Sequence, residues 1–259
     1  MLRTRSLVGS CFSLTFQTIR SMNGHAGASP HWEKLWAADG GLPKGTRFDV
    51  AGVARPLAAE LSRRRPPTSG KSALVPGCGR AYDALALAEH GYADVVALDI
   101  SLAACHAARE EMKEVSSSAA ERVEIRCADF FALDEERKFD TIWDCTFLCA
   151  LDPSAREEWA RRMASLLAPG GELLTAVFPI GDRDGGPPYA MSVSLVRSLL
   201  EPAGFEAIVV LDSLPIEEQH RRPGDDPNSV LTRGTALVTW MLRTDRVRGQ
   251  QSPVLDRDK

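Results

Sequence analysis

A chain of 259 residues is long enough for one sizeable α/β domain and short for two. Its 44% hydrophobic and 25% charged residues exclude a wholly disordered, collagen-like or coiled-coil chain. A formal net charge of −4 gives no general attraction to nucleic-acid phosphates or anionic lipid, and no apolar run reaches the length of a membrane span. Residues 1–29 carry Arg3, Arg5 and Arg20, several serines and threonines, and no acid before Glu33, which fits either an organelle transit peptide or an unstructured start. The domain is therefore expected over 30–245, with a polar tail at 246–259 and a cytoplasmic or organellar location. The six cysteines form no C-x-x-C pair and match no histidine spacing, so neither a metal site nor a disulfide framework is signalled, and reduced thiols are expected.

In chain order, Trp32, Leu35 and Trp36 share one face of a short helix over 31–42, ended by Gly40-Gly41. A second helix over 53–65 is stopped by Pro66-Pro67. Short apolar runs at 72–75, 95–98, 123–125, 139–143 and 172–177 read as strands. Helical stretches at 82–90, 102–115 and 155–167 separate them, the last opened by Asp152-Pro153 and closed by Pro169-Gly170-Gly171. Such alternation implies βαβ crossovers and a parallel sheet covered on both faces. After a polar loop at 181–188 come a helix over 192–200 and strands at 205–211 and 235–242. The segment between those strands is too short and too polar for a crossover helix, so they should pair antiparallel. The expected fold is α/β and Rossmann-like: a seven-stranded, mostly parallel sheet with one antiparallel strand and helices on both faces.

Val75-Pro76-Gly77-Cys78-Gly79 follows the first strand and precedes the first crossover helix, so Gly77 and Gly79 lie where a cofactor must approach the backbone closely. The nicotinamide version of this turn adds a third glycine at the helix start; that position is Tyr82, and no glycine follows before Gly91. A nucleoside cofactor without a phosphate, S-adenosylmethionine, needs less of that packing; a tight turn without ligand is the alternative. Asp99 ends the second strand, where a carboxylate can accept hydrogen bonds from ribose hydroxyls, or cap the next helix, a task for which Ser101 is better placed. Asp129 follows the third strand and suits an adenine amino group, with Phe130 packing on the base, or else serves only its own turn.

These spacings, with the Pro-Gly-Gly turn, resemble class I methyltransferases. The segments His31-Trp32-Glu33-Lys34-Leu35-Trp36, Leu74 to Gly79, Phe147 to Pro153 and Asp184-Gly185-Gly186-Pro187-Pro188-Tyr189 resemble the thiopurine methyltransferase superfamily, and most closely its thiol and halide methyltransferase branch. The resemblance runs from about residue 31 to 243. It implies S-adenosylmethionine held by Trp32, Trp36 and Phe48 from the N-terminal segment, together with Gly77, Cys78, Gly79, Asp99, Asp129 and Phe130. Indole faces stabilise a sulfonium cation by roughly 0.5–2 kcal/mol each; the two tryptophans could instead only staple their helix to the core. The family's pattern has tryptophan where Phe48 stands and tyrosine where Cys145 follows the fourth strand, so Cys145 enters the cofactor pocket of this reading as an altered member.

The implied reaction is methyl transfer to a small thiol or inorganic anion: hydrosulfide, thiocyanate or halide. In-line displacement depends on orientation and exclusion of water, so a general base is optional, and no Ser-His-Asp or Cys-His constellation can be assigned from the sequence. Tyr189, on the loop 181–189, is the candidate catalytic residue, orienting the nucleophile through its hydroxyl; a packing aromatic is the alternative. Other readings are methylation of a larger thiol or thioether metabolite, a non-catalytic module that binds the cofactor, and, most weakly, a nicotinamide dehydrogenase. The expected partner is a small molecule, with no nucleic acid and no membrane, and the chain is expected to act as a monomer.

Overall fold

The computed structural model describes residues 28–115, 117–222, 224–226 and 234–243. The proposed targeting segment, apart from Ala28 and Ser29, and the polar tail lie outside them. Seven strands form one sheet: β1 (Ser72–Pro76), β2 (Asp94–Asp99), β3 (Val123–Cys127), β4 (Phe139–Cys145), β5 (Leu167–Val177), β6 (Phe205–Leu211) and β7 (Ala236–Leu242). Their order is β3-β2-β1-β4-β5-β7-β6. Strands β1 to β5 pair in parallel, while β7 runs antiparallel to both β5 and β6 and is the one reversed strand. The helices are α1 (Ala28–Ala37), α2 (Arg55–Arg63), α3 (Tyr82–His90), α4 (Leu102–Glu114), α5 (Arg156–Leu166) and α6 (Val193–Leu200). None of the described helices is long and apolar enough to cross a membrane.

The two-residue period of a strand explains how one sheet serves two cores. Leu74 joins Trp159 and Met163 of α5 and Val196 of α6 on one face, while its neighbours Ala73 and Val75 join Leu87 of α3 and Leu57 of α2 on the other. The buried indoles of Trp143, Trp159 and Trp240 each donate their N–H inside the protein, to Asp83 (2.7 Å), Asp144 (2.9 Å) and Thr175 (3.0 Å). Asp83 and Asp144 thus tie β4 and its surroundings to the helices on opposite faces. A third, small cluster of Trp36, Leu42 and Ala104 seats α1 against α4.

Several boundaries differ from expectation. Ala28 and Ser29 belong to α1 rather than to the leading segment. The Pro169-Gly170-Gly171 turn does not separate α5 from its strand, because the chain becomes extended at Leu167 and the three residues form an irregularity within β5. Gly170 adopts φ 72°, and a Cβ on Gly171 would lie 2.8 Å from the Asp140 carbonyl oxygen, so only glycine fits this crossing. Asp152-Pro153 opens a 3-10 turn, Pro153–Ala155, before α5 starts.

Candidate active site

The strand order reverses between β1 and β4, and the carboxyl ends of β1, β2, β3 and β4 meet there, where open α/β sheets take their ligands. The loop after β1 is wound through left-handed positions at Gly77 (φ 61°), Gly79 (φ 53°) and Ala81 (φ 63°). It is anchored to β2 by the Cys78 N–H, which donates to the Leu98 carbonyl at 2.9 Å. One residue on, Asp99 is 7% exposed, and its carboxylate accepts from the N–H of Gly79 at 3.0 Å and of Ser101 at 2.9 Å. Burial pushes its carboxyl up to about 6, against the pull of these backbone donors. Ser101 takes the capping role, its hydroxyl accepting the Ala104 N–H at 3.1 Å, so Asp99 is not the cap of α4.

Aromatic rings close directly over both glycines. A Cβ on Gly79 would lie 3.1 Å from Cζ2 of Trp36, and one on Gly77 only 2.7 Å from Cδ2 of Phe147. Phe48 meets Trp32 and Trp36 edge-on, with ring centroids 5.5 Å and 5.4 Å apart, so the three form one cluster. Residues that sequence reasoning did not single out hold this segment down. The Glu33 carboxylate of α1 accepts from the Ser101 hydroxyl at 2.7 Å and the Ala103 N–H at 3.2 Å, and its carboxyl is held below the ordinary value, chiefly by Ser101. Arg80, just past the glycine loop, pairs with the buried Asp49 at 2.8 Å, donates to the Leu42 carbonyl at 2.5 Å and lies over the Trp36 ring. The weak signal available was charge next to a glycine turn, which is common.

Asp129 accepts the Phe131 N–H at 2.9 Å and caps the 3-10 turn Phe130–Ala132, so its carboxylate does serve its own turn. The Phe130 ring is buried against Phe131 and Phe147, with its centroid 5.1 Å from that of Phe147. Phe147 therefore links the Asp129 segment to Gly77.

On the loop 181–189, Tyr189 is half-buried and tied down: its N–H donates to the Cys149 carbonyl at 2.7 Å, Gly186 lies flat against its ring, and the Arg156 guanidinium sits 5.5 Å above it. Arg156 is only 9% exposed, and its Nε is buried without a hydrogen-bond partner among the described residues. Cys149, beside it, has its thiol pushed up to about 12 by burial and by Asp144, with Arg156 among the charges opposing that shift.

Cys145 does have a partner. Its Sγ lies 3.6 Å from Nδ1 of His220, which comes from the β6–β7 connection and packs on Phe178 with centroids 4.7 Å apart. The two residues are 75 apart in sequence, so the contact could not be assigned from the sequence. Burial raises the Cys145 thiol well above its ordinary value and lowers His220 to about 4, so at neutral pH the pair is a thiol and a neutral imidazole, not an activated nucleophile.

The residues fit S-adenosylmethionine: two carboxylates for hydroxyl and amino donors, π faces for a cation, and glycines where the backbone must be approached. A profile of the family described as thiopurine S-methyltransferase matches residues 28–228. The chain is 41% identical over 198 residues to a probable thiol methyltransferase 2 of Arabidopsis thaliana, covering 76% of this chain and 81% of that protein. It is likewise 41% identical over 179 residues to thiocyanate methyltransferase 1 of Brassica oleracea, covering 69% and 75%. Among solved structures, the glycopeptide N-methyltransferase MtfA complexed with S-adenosylmethionine superposes with a TM-score of 0.58 at 17% identity, over 78% of this chain and 100% of that one, a likeness of fold.

Proposed function

The chain belongs to the thiopurine S-methyltransferase family and is an S-adenosylmethionine-dependent methyltransferase, and from that premise we propose that its acceptor is a small thiol or inorganic anion held by Arg156 and Tyr189. The observation that carries this reading is the buried guanidinium of Arg156 with its orphaned Nε, under the loop that bears Tyr189. A buried cationic donor is costly unless it is paired, and hydrosulfide, thiocyanate or halide supplies both the opposite charge and the missing acceptor. The names of the two plant relatives, a thiol and a thiocyanate methyltransferase, support the same acceptor class.

In this reading Asp99 accepts the ribose hydroxyls, Asp129 and Phe130 take the adenine, and Gly77, Cys78 and Gly79 let the cofactor reach the backbone. Trp32, Trp36 and Phe48 exclude water from the sulfonium side. When bound, the cofactor supplies an electrophilic methyl group on a cationic sulfur. The chain's contribution is to hold the nucleophile in line: Arg156 binds the anion and the Tyr189 hydroxyl orients it. No side chain needs to remove a proton, since a free thiol is already a few per cent thiolate at neutral pH and the other anions carry none. Every residue named comes from one chain, so a monomer suffices.

The test is to supply purified protein with methyl-labelled S-adenosylmethionine and hydrosulfide, methanethiol, thiocyanate, iodide or a bulky thiol, and to assay methylated products. Volatile products from the small acceptors are expected, with Arg156→Met raising the acceptor KM at least tenfold and leaving cofactor affinity unchanged. Turnover of the bulky thiol alone, or no turnover of any acceptor by protein that binds cofactor, would overturn the proposal.

A further inference from the structure

Outside the residues assigned above, two thiols meet beside the cofactor site. Cys127 is the last residue of β3 and the register partner of Asp99 on β2; Cys105 lies in the first turns of α4, the helix that follows Asp99. Val123, Ile125 and Cys127 alternate onto the face of β3 that packs against α4, and Val123 and Ile125 join Ala108 and Met112 there. The two Sγ atoms crowd the same backbone: Cys105 Sγ–H donates to the Asp99 carbonyl at 3.6 Å and the Arg126 carbonyl at 3.8 Å, and Cys127 Sγ–H donates to the Ile100 carbonyl at 3.9 Å. The two sulfurs therefore sit on facing elements around the same short stretch of backbone, the end of β2 and the end of β3. Cys105 is fully buried and Cys127 is exposed.

We propose that Cys105 and Cys127 are a redox modification site, at which a peroxide forms a reversible disulfide that weakens cofactor binding through Asp99. The exposed Cys127 sulfur attacks one peroxide oxygen, forming an S–O bond as the O–O bond breaks and water leaves, to give a sulfenic acid. The Cys105 sulfur then attacks the Cys127 sulfur; the S–S bond forms, the S–O bond breaks, and a second water departs with the Cys105 proton. Two thiols lose two electrons and two protons, and one peroxide becomes two waters. Burial, with Cys127 and Asp99 nearby, pushes the Cys105 thiol up to about 12, so first attack falls to the exposed Cys127. A low-molecular-weight thiol reverses the bond by exchange.

The coupling to the cofactor site is short. A bonded sulfur pair is about 2 Å apart, closer than unbonded sulfurs can approach, so closure draws the first turns of α4 toward the end of β3. Asp99, Ile100 and Ser101 connect those two elements on the β2 side, and closure also removes both S–H donors to their carbonyls.

The full chain is treated with hydrogen peroxide, the linkage is located by peptide mapping, and affinity for S-adenosylhomocysteine is measured by calorimetry, which needs no acceptor and so does not depend on the acceptor reading. A mass loss of about 2 Da for one disulfide, a Cys105–Cys127 peptide and at least a fivefold weaker affinity that dithiothreitol restores are expected. Cys127→Ser, an exposed substitution, should bind cofactor as the reduced parent does and resist peroxide; Cys105→Ala serves as the second variant. Failure to form this disulfide, formation with unchanged affinity, or a peroxide-induced loss that persists in Cys127→Ser would overturn the proposal.

Discussion

Asp99 holds the glycine loop with one oxygen and the start of α4 with the other, in surroundings that raise its carboxyl to about 6. Only the ionised form accepts from ribose hydroxyls without offering a competing proton, so cofactor affinity should be full at pH 7.5 and fall as the pH drops through 6. Calorimetric titration with S-adenosylhomocysteine should show this fall, and Asp99→Asn should bind about tenfold more weakly, the equivalent of about 1.4 kcal/mol, with no pH dependence between 5 and 7.5. Equal affinity of the parent protein at pH 5 and 7.5 would remove Asp99 from the ribose. Gly77 makes a separate demand. It needs a left-handed backbone, and a Cβ there would press within 2.7 Å of the Phe147 ring. Gly77→Ala should therefore displace Phe147 and add backbone strain of about 1–2 kcal/mol, read as a cofactor KM raised at least tenfold with the fold intact by circular dichroism.

Element by element, α1 is an appendage seated on α4 that brings Trp36 to the glycine loop, with Trp32 against Phe48 beside it. Its seat depends on Glu33, whose carboxylate accepts two hydrogen bonds at the start of α4. Glu33→Ala should release about 1–3 kcal/mol of docking and raise the cofactor KM several-fold while kcat at saturating cofactor changes little. Lys34→Ala, on the exposed side of the same helix, should do neither, and equal effects of the two would mean that α1 is not a cofactor element. How much of this was legible in sequence follows from the range of each interaction. Strand and helix periods are local, so the alternation of β1 to β5 and the crossover helices were readable, as were the glycine loop and Asp99 at its fixed distance. Gly171 was misplaced because the carbonyls that confine it include those of Phe139 and Asp140, some thirty residues away. Arg156, the packing of Phe147 on Gly77 and the Cys145–His220 contact were hidden for the same reason: their meaning arises only when the ends of β1, β4 and β5 are brought together.

The whole molecule carries buried ionisable groups whose effects on stability oppose one another. Between pH 5 and 7, surface carboxylates held below their ordinary values, such as Glu33 and Asp140, are ionised in both folded and unfolded chains and contribute no slope. Asp99 and Asp144, both pushed up to about 6 by burial, retain protons when folded that the unfolded chain has released, so each lowers stability as the pH rises. Together they remove about 2–3 kcal/mol across this window. His220, lowered to about 4, acts with the opposite sign: the unfolded chain binds a proton that the folded one refuses, and about 2 kcal/mol returns as the pH rises. The protein should therefore show a nearly flat stability between pH 5 and 7 despite having three strongly perturbed groups. His220→Gln removes the compensating member, and its urea unfolding free energy should fall by about 2–3 kcal/mol from pH 5 to pH 7 while that of the parent changes by about 1 kcal/mol or less. Parallel profiles for the two proteins would show that the imidazole beside Cys145 is not held neutral by the fold.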